Sequence, residues 1–215
     1  LGIRGCSVSM PFKEDVLGLV EEIEPSALAI RSVNTIVNDD GRLTASNTDY
    51  LAVRQLISEH RLNPDDAVLI RGSGGMASAV GAAFSGAGFH TGVVVARNRD
   101  SGQALADRLG YSYAADIEGV TAPIIVNVTP IGMAGGVGED DVAFADATIR
   151  QARTVFDVVA LPSETPLIAA ARAAGVDVIT GAQVIALQAA EQFERYTGVR
   201  PSPEQIAEAS ALSRA

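Results

Sequence analysis

The sequence has very little lysine. Its 16 basic side chains comprise 15 arginines and one lysine, Lys13. A guanidinium stays protonated at any physiological pH, whereas an ammonium in a desolvated site can give up a proton and take it back. The use of lysine at this one position therefore indicates acid–base chemistry. The alternative is a surface lysine left over in an arginine-rich composition.

Other absences narrow the class of protein. Cys6 is the only cysteine, which excludes an internal disulfide and is typical of a reducing, cytoplasmic location. No apolar run approaches the roughly 18 residues of a membrane span. A net charge of −10, without tryptophan or a basic stripe, argues against nucleic acid. We therefore expect a small-molecule partner, with no membrane or nucleic acid bound, and a monomer or homodimer.

Apolar runs alternate with amphipathic patterns along most of the chain, which is typical of βαβ units and a parallel sheet. The predicted fold class is α/β. Strands are predicted at 5–9, 32–38, 67–71, 92–96, 123–127, 154–158 and 176–179. Helices are predicted at 14–24, 49–60, 76–87, 101–109, 166–173, 182–196 and 203–213. A turn at 39–42 is predicted to join two short extended pieces.

A domain boundary is predicted near 62–66, where an Asn-Pro-Asp-Asp segment precedes a new strand. The first domain, an α/β catalytic domain that binds substrate, is assigned to 1–62 with the C-terminal helices at about 190–215. The second, at 63–189, is predicted to be a Rossmann-type, doubly wound dinucleotide-binding domain. The chain starts as though in the middle of a domain, so we expect residues upstream of Leu1.

A glycine turn follows the strand at 67–71, and a helix follows the turn. Gly72, Gly74 and Ala77 occupy the three places of the G-x-G-x-x-G/A dinucleotide fingerprint, with Ser73, Gly75 and Met76 between them. The first glycine permits the tight turn, the second lets the backbone approach a pyrophosphate, and the small third residue lets the helix pack on the strand. Glycine turns also serve packing alone, but the strand before and the helix after favour dinucleotide binding.

The strand at 92–96 is expected to end beside the adenosine ribose. An NAD-selective site usually offers an acidic residue there, whereas this strand ends in Ala96, Arg97, Asn98 and Arg99. Arginine suits a 2′-phosphate, so NADP is predicted as the cofactor, with NAD as the alternative. Solvated loop charges are the other interpretation, because Asp100 weakens the positive field.

Seven ordered motifs give the chain its resemblance to a known family. The segment 8–13 (V-S-M-P-F-K) resembles the V-T-x-P-x-K element of shikimate dehydrogenases, and 34–35 and 47–49 resemble their N-T and N-T-D elements. The segments 72–79 and 127–133 are similar to the G-A-G-G-A-x-x-A and N-A-T-P-x-G-M elements. Residues at 157–167 and 181–193 match the D-x-x-Y-x-P-x-x-T-P-L segment and the closing helix. The residues within several of these motifs are most similar to those of the divergent shikimate dehydrogenase-like subgroup.

The resemblance implies an NADP-dependent oxidoreductase that interconverts shikimate and 3-dehydroshikimate, on the route to chorismate and the aromatic amino acids. It implies that Lys13 and Asp49 form the catalytic pair that handles the hydroxyl proton, while the cofactor carries the hydride. Alone, Asp49 also reads as an acidic residue in the first turn of a capped helix.

The resemblance also implies further site residues. Ser9, Asn34 and Gln188 match positions that bind the hydroxyls of the substrate, and hydroxyl and amide groups both donate and accept. Asn127, Thr129 and Met133 are implied to lie beside the cofactor. Structural alternatives are a strand end for Asn34, a wet helix face for Gln188 and core packing for Met133. His60 and His90 lie outside every motif, and no metal site is predicted.

Departures from the family pattern keep other functions open. Tyr50 stands where glycine is usual, and Ala160 replaces a tyrosine of the D-x-x-Y element. The family's N-terminal S-x-S element, which binds the substrate carboxylate, has no counterpart in the chain. The alternatives are a quinate/shikimate-type dehydrogenase that uses NAD, and a nucleotide- or metabolite-binding protein of the same fold without turnover.

Overall fold

The computed structural model describes residues 2–213, which divide into two compact units. The first unit runs to Gln55 and resumes at Ile185, and the second comprises Leu56–Val184. The sequence placed the corresponding divisions a few residues later, after 62 and after 189. The assignment of substrate binding to one domain and dinucleotide binding to the other stays a prediction.

Ten strands and eight α-helices follow one another in the described residues. The strands are β1 (Gly5–Ser7), β2 (Glu22–Ile23), β3 (Thr35–Asp39), β4 (Arg42–Ser46), β5 (Val68–Arg71), β6 (Gly92–Val95), β7 (Ser112–Ala114), β8 (Ile124–Asn127), β9 (Thr154–Asp157) and β10 (Asp177–Thr180). The helices are α1 (Pro25–Leu28), α2 (Thr48–Glu59), α3 (Gly75–Gly86), α4 (Arg99–Leu109), α5 (Asp146–Gln151), α6 (Pro166–Ala173), α7 (Gly181–Thr197) and α8 (Pro203–Leu212).

The first unit contains a four-stranded sheet in the order β1-β3-β4-β2. The strands β3 and β4 form an antiparallel hairpin, as predicted, and its two turn residues Asp40 and Gly41 both have positive φ, of 51° and 97°. Such a turn matches the twist of the strands that flank it. A small core of Ala27, Val33 and Ala45 lies against this sheet.

The second unit contains a six-stranded, fully parallel sheet in the order β10-β9-β8-β5-β6-β7. The chain starts in the middle at β5, builds outward through β6 and β7, and then returns to β8 on the other side. This is the doubly wound Rossmann order, and its switch point lies between β5 and β8. The Rossmann-type α/β architecture predicted from the sequence is therefore confirmed.

The core of the second unit is formed by apolar residues that point from both faces of its sheet. Strands buried on both faces carry continuous apolar runs, and β8 is such a strand. The helices have identifiable ends: Asn98 caps α4, and Thr165 followed by Pro166 begins α6. No helix in the range 2–213 combines the length and apolarity needed to cross a bilayer.

The predicted helix at 14–24 is wrong. Only Asp15–Leu19 is helical there, as a 3₁₀-helix, and β2 follows it and pairs with β4. Gly18 disfavours a helix in this segment. Val16, Leu17 and Val20, whose spacing suggested the helix, pack against the small core of the first unit. Four short elements, β2, α1, α5 and β7, were not predicted.

Candidate active site

Lys13 and Asp49 lie in contact in the first unit. Lys13 sits in the turns before the 3₁₀-helix, and its carbonyl accepts a hydrogen bond of 2.8 Å from the backbone N–H of Val33. Asp49 lies in the first turn of α2. The Nζ atom of Lys13 is 3.2 Å from Oδ2 of Asp49, and the side chains are 24% and 14% exposed. The ion pair is therefore mostly shielded from solvent but still accessible to it.

The side chain of Asn34 connects β3 to the beginning of α2. Its Oδ1 accepts hydrogen bonds from Thr35 Oγ1 and from the backbone N–H of Thr48, both at 2.8 Å, and from Thr48 Oγ1 at 3.2 Å. Asn47 also caps the helix, because its Oδ1 accepts from the backbone N–H of Tyr50. The two asparagines hold the first turn of α2, and with it Asp49, in place.

The Nδ2 group of Asn34 has no hydrogen-bond partner among residues 2–213, although Asn34 is only 2% exposed. Three donors face Oδ1, which fixes the orientation of the amide. Leaving a buried donor unsatisfied costs roughly 1–3 kcal/mol. Such a donor is well suited to bind an oxygen atom of a ligand.

Ser9 and Gln188 also lie in the first unit. Ser9 is exposed in the same loop as Lys13, and its carbonyl accepts from the backbone N–H of Phe12. Gln188 is half-buried on α7, one turn before Gln192. Residues at i and i+4 share a helix face, and Gln192 donates a hydrogen bond of 3.0 Å to Thr35 Oγ1. Gln188 therefore lies on the helix face that contacts the Asn34 network.

Three polar residues in this network were not predicted as site residues: Thr35, Thr48 and Gln192. The two threonines each follow an asparagine, and both are buried. The repeated Asn-Thr pair was the available signal, since a hydroxyl next to a buried amide is a natural partner for it. Their role here is to orient Asn34.

The glycine turn in the second unit has the geometry that a pyrophosphate requires. Gly72 has φ of +125°, and a Cβ there would lie 2.8 Å from a side-chain carbon of Val128, so only glycine fits. Gly74 precedes α3 without a side-chain cap, and a Cβ at Gly74 or Gly75 would meet nothing within 4 Å. The start of α3 thus has no side-chain cap and no side chain crowding it at these glycines, which suits an anion. Met76 is half-buried, and Ala77 is fully buried against the sheet.

The loop after β6 lies beside this turn. Ser73 and Ser101 share a hydrogen bond of 2.8 Å between their hydroxyls, and Asn98 Oδ1 accepts from the backbone N–H of Ser101. Ala96 is buried, whereas Arg97 and Arg99 are exposed and form no ion pair within the described part of the chain. The structure therefore brings together the two segments that the sequence assigned to the pyrophosphate and the ribose.

A buried polar network joins the loops that follow β8 and β9. Asp157 is fully buried, and its Oδ1 accepts from Asn127 Nδ2 at 3.0 Å and from the backbone N–H of Val159 at 3.1 Å. Its Oδ2 accepts from Thr165 Oγ1 at 2.7 Å. Burial raises the pKa of Asp157, and the hydrogen bonds from Thr165, Val159 and Asn127 partly oppose that shift.

Both the Nδ2 and the Oδ1 groups of Asn127 form hydrogen bonds in this network. Its Nδ2 also donates to the Ile131 carbonyl, and its Oδ1 accepts from the Thr129 backbone N–H and, at 2.6 Å, from Thr129 Oγ1. Asn127 thus shapes the loop that carries Thr129 and Met133, and Met133 is 41% exposed. The predicted contacts of these three residues with the cofactor stay predictions.

The strand order and the uncapped glycine turn define the second unit as a Rossmann-type dinucleotide-binding fold. Comparison with known proteins then identifies the family. The profile of the shikimate dehydrogenase substrate binding domain matches residues 1–36. A shikimate dehydrogenase-like protein of Haemophilus influenzae is 56% identical over 214 residues, which cover 100% of this chain and 79% of that protein. A shikimate dehydrogenase (NADP(+)) of Oleidesulfovibrio alaskensis is 37% identical, with 92% of this chain and 72% of that protein covered. The chain belongs to the shikimate dehydrogenase family.

Solved structures agree with this assignment. The structure of a shikimate 5-dehydrogenase-like protein superposes with a TM-score of 0.97 at 56% identity, covering 100% of this chain and 80% of that one. Quinate dehydrogenase from Corynebacterium glutamicum in complex with NAD gives 0.88 at 32% identity, with 99% and 78% covered. Shikimate 5-dehydrogenase from Thermus thermophilus in complex with NADP(H) and shikimate gives 0.84 at 28% identity, with 99% and 80% covered.

Proposed function

We propose that this protein is an NADP-dependent oxidoreductase that interconverts shikimate and 3-dehydroshikimate. The observation that carries the proposal is the ion pair of Lys13 with Asp49 at 3.2 Å, in a chain that has no other lysine. The hydrogen-bond network of Asn34 places a free amide donor in the same unit. A proton-exchanging amine and a polar donor are what the oxidation of a ring alcohol requires.

Lys13 is proposed to handle the proton of the reacting hydroxyl. In the oxidation direction Lys13 is proposed to accept the O–H proton, while the hydrogen on carbon 3 leaves as hydride. A nicotinamide dinucleotide, when bound at the second unit, would supply the acceptor for this hydride. Asp49 holds Nζ in one orientation and stabilises its protonated form. Proton transfer of this kind contributes roughly 10² to 10⁴ in rate.

Three residues of the first unit are proposed to bind the substrate. The unpartnered Nδ2 of Asn34 donates to one hydroxyl, while Ser9 and Gln188 contribute groups that both donate and accept. Asn34 has the strongest physical support, because its buried Nδ2 donor is unused among the described residues. Gln188 is supported by its position on the same helix face as Gln192.

The residues of the second unit fit NADP. Gly72, Gly74 and the uncapped start of α3 are proposed to bind the pyrophosphate, while Arg97 and Asn98 lie where the ribose is expected. The Thermus thermophilus enzyme, a member of the same family, has been solved with NADP(H) and shikimate. A small-molecule substrate and a reducing, cytoplasmic location complete the proposal, the latter supported by the single cysteine.

Oxidation of quinate with NAD is the second candidate. Quinate dehydrogenase of Corynebacterium glutamicum, solved with NAD, has a TM-score of 0.88 to this chain. Tyr50 and Ala160 differ from the usual family pattern, and a missing phenolic hydroxyl at a bound polar group costs on the order of 1–3 kcal/mol. These two positions are therefore the ones expected to alter substrate choice.

The test measures the rates of the full-length protein with each combination of shikimate or quinate and NADP or NAD. The absorbance of the reduced nicotinamide reports each rate. We expect the highest kcat/KM with shikimate and NADP, and loss of turnover in Lys13→Ala with dinucleotide affinity unchanged. Faster turnover of quinate with NAD would favour the second candidate. Tight dinucleotide binding without turnover of either substrate would contradict both and indicate a binding protein.

A further inference from the structure

Arg71 lies at the end of the central strand β5 and has no partner for its charge among residues 2–213. It is half-buried and directly precedes Gly72. Among residues 2–213, its guanidinium has neither a hydrogen bond nor an ion pair. A buried guanidinium is normally paired, because removing an isolated charge from water is costly. No role for this residue follows from the motifs that the sequence shares with its family.

The strand register places Arg71 at the carboxyl edge of the sheet. Arg71 is aligned with Val95 on β6 and with Asn127 on β8, so it lies beside the switch point between β5 and β8. Aligned residues of parallel strands have side chains on one face. Arg97 follows Val95 by two residues, and the backbone N–H of Gly72 donates to the Val95 carbonyl. Ligands of doubly wound sheets bind at this edge.

Arg71 lies within electrostatic reach of Arg97. The pKa of the Arg71 guanidinium is lowered, chiefly by burial, and the positive charge of Arg97 lowers it further, while Asp116 opposes the shift. Asp116 follows β7 and forms no ion pair in the described residues. Asp116 therefore offsets part of the positive charge of Arg71. The segment 97–100 adds two arginines and one aspartate, so three arginines stand against two aspartates in this region.

We propose that Arg71, together with Arg97, binds the ribose 2′-phosphate of NADP and so determines the preference for NADP over NAD. The inference rests on the proposed function, since it concerns the cofactor of that reaction. A phosphate monoester carries nearly two negative charges at neutral pH, and a guanidinium can bind two of its oxygens at once. Binding would give Arg71 the partner that it lacks and would remove the repulsion between the two arginines.

The alternative is that Arg71 serves only to stabilise the fold through Asp116. The two roles differ in their effect on stability. Replacement of a cation that stabilises the fold lowers the midpoint of thermal unfolding. Replacement of a half-buried, unpaired cation leaves this midpoint unchanged or raises it. Thermal unfolding of Arg71→Met is therefore a readout that does not depend on turnover.

The deciding experiment compares two nucleotides that differ only in the 2′-phosphate. Adenosine 2′,5′-bisphosphate and adenosine 5′-monophosphate are titrated into the full-length protein by calorimetry, for wild type and Arg71→Met. We expect the affinity for the bisphosphate to fall about tenfold or more, since a charge-assisted contact with the 2′-phosphate is lost. The affinity for the monophosphate is expected to stay within about twofold. Arg150→Met is the control, because Arg150 is an exposed arginine of the same unit.

If Arg71→Met lowers the affinity for both nucleotides equally, or changes neither affinity, the proposed role of Arg71 is overturned. A marked fall in the thermal midpoint of the variant would also overturn it. Arg71→Gln is the second variant and decides the question if methionine is not tolerated. The outcome is separable from that of the proposed function. A wild type that binds the two nucleotides equally overturns both the phosphate site and the NADP preference. A wild type that prefers the bisphosphate, with Arg71→Met unchanged, overturns Arg71 alone.

Discussion

The backbone N–H of Thr48 donates a hydrogen bond of 2.8 Å to Oδ1 of Asn34. This contact joins the residue before β3 to the residue that begins α2, and Asp49 follows immediately. Because Asp49 also pairs with Lys13, the proposed proton-transfer pair and the proposed substrate-binding amide are joined through the first turn of α2. Substitutions in this set should therefore separate substrate binding from proton transfer.

The substitution Asn34→Asp should weaken the binding of shikimate. A carboxylate still accepts from Thr35 and Thr48, but it lacks the Nδ2 donor and adds a negative charge at a buried position. Loss of a hydrogen bond to a bound hydroxyl costs roughly 1–3 kcal/mol, which predicts a rise in KM for shikimate of about tenfold or more. Steady-state kinetics of the full-length protein measure this KM.

Asn63→Asp is the matched control, because it makes the same change at an exposed turn of the second unit. Its KM should equal that of the wild type. An Asn34→Asp variant that folds and keeps the wild-type KM would show that the free amide does not contact the substrate.

Two glutamines one turn apart on α7 should behave differently. Gln192→Met removes the hydrogen bond to Thr35, and the free energy of unfolding in urea should fall by about 0.5–1.5 kcal/mol. Gln188→Met should leave stability nearly unchanged and raise the KM for shikimate, because its proposed partner is the substrate. Reversed effects, with Gln188 stabilising the fold and Gln192 setting the KM, would contradict the assignment.

Asp157 should make the stability of the protein depend on pH. Burial raises the pKa of Asp157 in the folded state above the usual value of about 3.9. Its contribution to stability is therefore complete below the unfolded pKa and is lost as the pH rises through the folded pKa. Asp157→Asn removes this loss, so the variant should gain stability relative to the wild type as the pH rises above about 4.

The gain should be about 1.4 kcal/mol for each unit by which the two pKa values differ. It is measured as the difference between urea unfolding curves of the two proteins across that pH range, on top of a constant cost from the altered bond to Thr165. Asp146→Asn, at an exposed ion pair, serves as the control. Parallel stability curves for Asp157→Asn and the wild type would mean that the carboxyl does not titrate abnormally.

The second unit was predictable because its signals are local. Each strand is a short apolar run, and turns or caps such as Gly72, Asn98 and Thr165 stand beside the elements that they end or begin. The predicted strands at 67–71, 92–96 and 154–158 consequently agree with β5, β6 and β9 to within one residue at each end. The three-residue strand β7 was missed, since a run of that length carries no periodic signal.

The segment at 14–24 shows where local reasoning fails. The strand β2 has only two residues, Glu22 and Ile23, and it exists because they pair with Thr44 and Ala45, about twenty residues away. No local pattern encodes that pairing. In this segment the tertiary pairing determines the conformation, although the apolar residues have a helical spacing, because tertiary packing overrides local propensity.

For the site, the residue types were predictable but their partners were not. The single lysine and the acidic residue at the start of a helix were visible in the sequence, and the structure places them 3.2 Å apart. The contact between Gln192 and Thr35 spans 157 residues. That Nδ2 of Asn34 has no partner among residues 2–213 is visible only once the three donors to its Oδ1 are in place. Hydrogen-bond satisfaction is a property of the folded chain, so it cannot be deduced from spacing.

The kcat of Lys13→Arg in the full-length protein is the most direct test of the proposed mechanism. Arginine keeps the positive charge and can still pair with Asp49, but it cannot give up a proton at physiological pH. If Lys13 transfers the proton, kcat for shikimate oxidation with NADP should fall by roughly 10² to 10⁴, while nucleotide affinity and the KM for shikimate change little. A Lys13→Arg variant that keeps more than about a tenth of the wild-type kcat would contradict the account, because charge alone would then suffice.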